Sequence, residues 1–196
     1  MKPAIELEVR RFQQGDLEAF TRLFERYQDR VYDLACIILR DEAAAQDVVQ
    51  DTFLTVFQKA HRFRGDAAFE TWLLAIAVNQ CRGRLRRQKI RKIVPIEKLN
   101  PLRWLRGSGD NPLTLIEEKT QRENLWRLVD ELPDRLRLPV ILRYRSGLTC
   151  EEIAAVLKKK RSTVYQALHE GRTELQKKIA LQPSLGAILQ ITGDSS

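Results

Sequence analysis

The chain has 196 residues, 43% of them hydrophobic, and a net charge of +8 with a pI of about 9.6. That suffices for one ordinary domain or two small helical ones with packed cores, and it excludes a globally disordered chain. The positive balance favours a polyanionic partner, nucleic acid or an anionic membrane surface, and no apolar run nears the roughly 18 residues of a membrane span.

The opening "MKPAIELEVRRFQQGD" lacks the apolar centre of a signal peptide, so a cytoplasmic protein is expected. Asp16 can cap a first helix whose apolar positions, Phe20, Leu23, Phe24, Tyr27, Val31, Leu34, Ala35 and Ile38, recur at helical steps of three and four. Asp41 can cap a second, with Ala45, Val48, Val49, Thr52, Phe53, Val56 and Phe57 on its inner side, and Asp66 a third, from Ala67 to about Lys89. Residues 94–118 contain Pro95, Pro101, Gly107, Gly109 and Pro112, which argue for a linker rather than a helix. Its 25 residues reach roughly 80 Å when extended, at about 3.3 Å each.

Beyond it, one helix is expected from about Leu115 to Leu132 and another from Pro133 to about Arg145, with Pro139 able to bend it. Thr149 and Glu152 form a capping box for a short helix ending at Leu157, and Ser162 can cap a last one running to Lys178. The expectation is an all-α chain of two small helical domains, 10–93 and 119–181, joined by the flexible linker 94–118 and followed by a tail, 182–196. Cys36, Cys81 and Cys150 lie far apart, there is no CxxC or HxxxH, and the only histidines are His61 and His169. Neither a metal site nor a disulfide framework is expected, and buried free thiols are the plain reading.

Charge is unevenly placed. Residues 1–81 hold 10 Lys/Arg against 13 Asp/Glu, whereas residues 82–92, "RGRLRRQKIRK", hold seven cations and no acid. A second basic block, Lys158, Lys159, Lys160 and Arg161, sits in the joint between the last two helices. Two separated basic patches suggest two contacts with one polyanion.

Three motifs stand out. The helix pair Thr149–Leu157 and Ser162–Lys178 has helix-turn-helix proportions, with Val164 and Leu168 expected to face inward against Ile153, Ala154 and Leu157. The longer helix would enter the major groove, offering Thr163, Tyr165, Gln166 and His169, while the four cations lie near phosphates. The same shape fits an ordinary helical hairpin with a solvated joint. On the second helix, Asp47, Gln50 and Asp51 share one edge, either a solvated face or an acidic docking surface for a basic protein. On the third, Trp72, Ala75, Asn79, Arg82 and Arg86 step by three and four. An aromatic, an amide and two guanidiniums in line could stack, bond to base edges and pair with phosphates, although Trp72 also fits a core. No GxxxxGK[ST], GxGxxG or GxSxG occurs, so neither an enzyme nor a cofactor is expected.

In this order, these motifs resemble the extracytoplasmic-function (ECF) sigma factors of bacterial RNA polymerase. "GDLEAFTRLFERYQDRVYDLA" resembles the family's opening, and "AAAQDVVQDTFLTVF" its polymerase-docking segment. "FETWLLAIAVNQCRGRLRR" is similar to the segment that opens and reads the minus-ten promoter element, and "LPDRLRLPVILRYRSGLTCEEIAAVL…STV" to the domain that reads the minus-thirty-five element. The resemblance implies a non-enzymatic specificity subunit that binds core RNA polymerase and promoter DNA. It further implies a first domain clamping a coiled coil of the largest polymerase subunit, a linker threading towards the RNA exit path, and an anti-sigma factor as inhibitor. The chain departs from the pattern at Gln46, where the family usually has Glu. It departs again at Lys158–Lys160, where Gly, an apolar residue and Ser are usual, and at Ala167, Glu170 and Gly171, which interrupt an Arg-rich run. The alternative is a stand-alone helix-turn-helix regulator that does not dock on polymerase.

Overall fold

The computed structural model describes residues 3–91 and 125–181. The expected linker, the tail and the first part of the helix placed at 115–132 lie outside the described residues. In chain order the elements are α1 (Pro3–Gln13), α2 (Leu17–Leu39), α3 (Glu42–Lys59), a 3-10 turn (Ala60–Arg62), α4 (Phe69–Arg91), α5 (125–130), α6 (Asp134–Tyr144), α7 (Cys150–Leu157) and α8 (Arg161–Ala180). The fold is all-α, with no strand among the described residues. The chain divides into two compact units, 1–99 with 148–160 and 100–147 with 161–196.

In the first unit, the expected caps of α2 and α3 form. Asp16 accepts from the Ala19 N–H and Asp41 from the Ala44 N–H, each at 3.0 Å. Each satisfies one of the amides that a helix start leaves without a partner. Between α2 and α3, Arg40 takes a left-handed conformation at φ 58° and donates its N–H to Cys36 O. The sequence reading did not place α1. Pro3 opens it, where a missing N–H costs nothing, and Val9 and Phe12 are buried along one face. Phe12, Phe20, Phe24 and Phe53 form an aromatic core, with Phe24 and Phe53 edge-on at 4.7 Å. Phe57, expected inside, is 49% exposed although its ring meets Phe12 and Phe20.

α4 begins at Phe69, not at Ala67, so Asp66 does not cap it and lies in the preceding loop. The Trp72 N–H bonds to Ala68 O, which puts the first helical hydrogen bond two residues later than expected. Leu73, Leu74, Ala77, Val78 and Cys81 are fully buried. α7 belongs to this unit, where the buried Thr71 hydroxyl donates to Glu152 at 3.0 Å. Its capping box is complete. Glu152 accepts from the Thr149 N–H at 2.8 Å, and the Glu152 N–H donates to the Thr149 hydroxyl oxygen at 3.2 Å.

In the second unit, α6 carries Pro139 in its interior, so one helical N–H is missing there. The buried Arg137 pairs with Asp130 at 3.1 Å. α8 starts at Arg161, which leaves Ser162 inside the first turn rather than capping it. Its buried residues, Val164, Leu168, Gly171, Leu175 and Ile179, make one stripe. Gly171 has a specific reason to lack a side chain. A Cβ there would stand 2.8 Å from Val140 Cγ2 of α6, closer than packed carbons approach.

Candidate nucleic-acid interface

The α4 stripe separates into an aromatic end and a solvated polar end. Trp72 is half-buried against Phe63 and Phe69, with ring centroids 5.3 and 5.9 Å away. Asn79, Arg82 and Arg86 are exposed, as a nucleic-acid face requires, while the opposite side of the same helix is in the core. Trp72 therefore packs on one side and meets solvent on the other.

Beside Trp72 is a feature the sequence reading missed. The loop His61–Ala67 and Trp72 line a cavity of about 640 Å³. Its lining includes the cations Arg62 and Arg64 and the aromatic Phe63. The segment "HRFRGD" alternates aromatic and cationic residues, a signal available in the sequence but too short to interpret without the enclosing geometry. The loop is held by Gln13 of α1, whose amide Nε2 donates to both Ala60 O and Phe63 O at 2.8 Å.

On α3, Asp47 and Gln50 are exposed and Asp51 is half-buried, all along one edge. Two of these three are already engaged. Arg84 of α4 bonds Asp47 Oδ2 at 3.1 Å and Asp51 Oδ2 at 2.6 Å.

Around the second basic block, α7 ends in a left-handed residue, Lys158, at φ 52° and ψ 49°. Lys158 N–H bonds to Ala155 O and Lys159 N–H to Ala154 O, the two hydrogen bonds of a Schellman stop. Lys158, Lys159, Lys160 and Arg161 are all exposed. On α8, Thr163, Tyr165, Gln166 and His169 are exposed while Val164 and Leu168 are buried, the division expected from the sequence. Gln166 also donates to Glu170 at 3.0 Å, and Glu170 pairs with Arg135, whose guanidinium holds its carboxyl below the usual carboxylate range. Arg172 leans on Tyr144, bonding its hydroxyl and lying 5.7 Å from the ring centroid.

Residues 23–90 match the family described as Sigma-70 region 2, and residues 122–175 match Sigma-70, region 4. The ECF RNA polymerase sigma-E factor of Escherichia coli (strain K12) is 34% identical over 179 residues, covering 87% of this chain and 92% of that protein. This chain belongs to the ECF sigma factors. It directs core RNA polymerase to specific promoters and assists their opening at the start of transcription. The RNA polymerase sigma-H factor of Pseudomonas aeruginosa is 32% identical over 184 residues, covering 90% of this sigma factor and 93% of that one. Two solved structures share its fold. CnrH in complex with the cytosolic domain of CnrY has a TM-score of 0.65 at 20% identity and covers 90% of this chain and 97% of that one. The sigma factor RpoE with the anti-sigma factor NepR from Bartonella quintana has the same TM-score and identity, covering 83% and 98%.

Proposed function

We propose that this sigma factor works through three surfaces. The edge of α3 formed by Asp47, Gln50 and Asp51 docks on core RNA polymerase, its carboxylates meeting a basic patch of the partner. The α4 stripe handles the promoter strand at the minus-ten element. Arg82 and Arg86 pair with phosphates, and Asn79 bonds a base edge. Trp72 and Phe63 offer aromatic faces to an unstacked base in the cavity beside them. The joint Lys158, Lys159, Lys160 and Arg161 grips upstream phosphates, while Thr163, Tyr165, Gln166 and His169 reach base edges of the minus-thirty-five element.

The observation that carries this reading is the division of α4. One helix puts Leu73, Leu74, Ala77 and Val78 in the core and leaves Asn79, Arg82 and Arg86 to solvent, in line with an aromatic bordering a cavity. A regulator that only grips closed duplex has no use for an aromatic and cationic cavity beside that stripe. The subunit acts without catalytic chemistry of its own. Among the described residues no helix is long and apolar enough to cross a membrane, and the cytoplasm, where polymerase works, is its proposed location. A sigma factor of the same fold was solved with an anti-sigma factor, and we assign this chain an inhibitory partner of that kind.

Open-complex formation tests the reading. Asn79→Ala and Arg82→Ala should slow opening of double-stranded promoters while core binding holds, and a pre-melted template should restore part of the Arg82 defect. Normal transcription from duplex templates by both variants would reduce the stripe to structure. Asp47→Lys with Asp51→Lys should abolish core binding, since like charges then face each other at a cost of several kcal/mol.

A further inference from the structure

Arg84 lies in the basic block 82–92, whose composition suggests contact with a polyanion. Its side chain instead pairs with two carboxylates of the same unit. Arg84 Nη1 meets Asp47 Oδ2 at 3.1 Å and Nη2 meets Asp51 Oδ2 at 2.6 Å, so one guanidinium spans two carboxylates a helical turn apart on α3. The Arg84 side chain is 21% exposed, against 59% for Asp47 and 44% for Asp51. Arg84 Nε is buried and makes no hydrogen bond among the described residues, so the planar group enters from the protein side of the pair. Burial works against the charged form of Arg84, yet the two carboxylates outweigh it and hold the guanidinium firmly protonated.

From this geometry we infer that Arg84 is a positioning residue of the polymerase-docking surface. The inference rests on the reading of Asp47 and Asp51 as docking residues. Two carboxylates at i and i+4 repel each other and turn freely when alone. A guanidinium is a rigid planar fork, and this one takes a single oxygen from each. It cancels their mutual repulsion, fixes both side chains, and leaves the second oxygen of each for a partner's cations. The partner then meets a pair already ordered, and the entropy of ordering it is not lost on binding. The same contact ties the docking helix α3 to α4, the helix bearing Asn79, Arg82 and Arg86.

The test compares core polymerase binding by the full chain in Arg84→Met, Asp47→Asn with Asp51→Asn, and the combined triple variant, with thermal melts as a check on folding. Arg84→Met makes the docking edge more negative, so charge alone predicts tighter binding to a basic partner. Positioning predicts about a fivefold loss, the scale of freezing a side chain on association. That loss should vanish in the Asn/Asn background, where no carboxylate remains to position. Parent-like or tighter binding by Arg84→Met overturns the inference. An equal loss with and without the carboxylates also overturns it, because Arg84 would then act through helix packing. Parent-like binding by the Asn/Asn variant overturns the docking reading itself, and the inference with it. If Arg84→Met fails to fold, Arg84→Lys carries the test. Its single ammonium cannot span both carboxylates, so about a twofold loss confined to the Asp47/Asp51 background is expected, and parent-like affinity refutes the role.

Discussion

Replacing Lys158 by glycine should stabilise the protein. Lys158 sits at φ 52° and ψ 49°, where its Cβ crowds the following carbonyl, a strain of about 1–2 kcal/mol for a residue other than glycine. Glycine removes that strain but enlarges the entropy of the unfolded chain by about 0.4–1 kcal/mol. The exposed side chain surrenders no packing, and both Schellman hydrogen bonds are made by backbone atoms that glycine keeps. A net gain of about 0.5–1 kcal/mol remains. In a chain of this size that is a rise in Tm of roughly 1–4 °C. Urea denaturation of the full chain, followed by circular dichroism, measures it as a higher midpoint with an unchanged slope. Lys158→Ala is the necessary control. It removes the same charge from the four-cation joint but keeps the Cβ, so it should gain less than half as much. If alanine stabilises as well as glycine, charge repulsion and not backbone strain governs the site. If glycine leaves the midpoint unmoved, the strain argument fails.

Gly171→Ala should destabilise by about 1–3 kcal/mol, opposite to the gain of about 1 kcal/mol expected at an open helix position, because the new methyl meets Val140 at 2.8 Å. Adding Val140→Ala should recover part of the loss beyond simple additivity, which a double-mutant cycle of denaturation midpoints reads directly. Replacing Lys159, Lys160 and Arg161 by Gln should weaken DNA binding across sequences. The log–log salt slope should fall by up to about 2.7 if all three meet phosphates, and an unchanged slope leaves the joint as a solvated turn. Native thiol labelling at pH 8 should modify Cys150 alone at speed. Burial pushes Cys36 and Cys81 up to about 12, so only about one in ten thousand of each is thiolate at that pH, and three fast thiols would contradict the packing.

Much of the helical framework was legible from short-range chemistry. Asp16, Asp41 and the Thr149–Glu152 pair cap the helices that their sequence positions announced. The left-handed stop at Lys158 was foreseeable because the family resemblance puts this Lys at a place where glycine, suited to positive φ, is expected. α1 escaped notice although Ile5, Val9 and Phe12 carry a helical period, because charged residues crowd the same stretch. Asp66 misled because an Asp before an apolar run has the form of a cap. Here it belongs to the loop that lines the cavity, and the helix starts three residues later.

The sequence by itself determined the helical periods, most of the caps, the two basic blocks and the order of motifs that marks a sigma factor. Each depends on residues within about four positions of one another, or on composition along a run, and so is written in the chain directly. The tertiary structure decided which charges are already paired and which aromatics border open space. Arg84 reaches Asp47 and Asp51 across 37 and 33 positions of sequence, so a residue that composition assigns to a polyanion belongs instead to an acidic edge. Gly171 reads as an interruption of a basic helix until Val140 is found 2.8 Å from its absent Cβ. Side-chain charge and size are local properties, whereas the partner that neutralises a charge or fills a space is set by how helices pack.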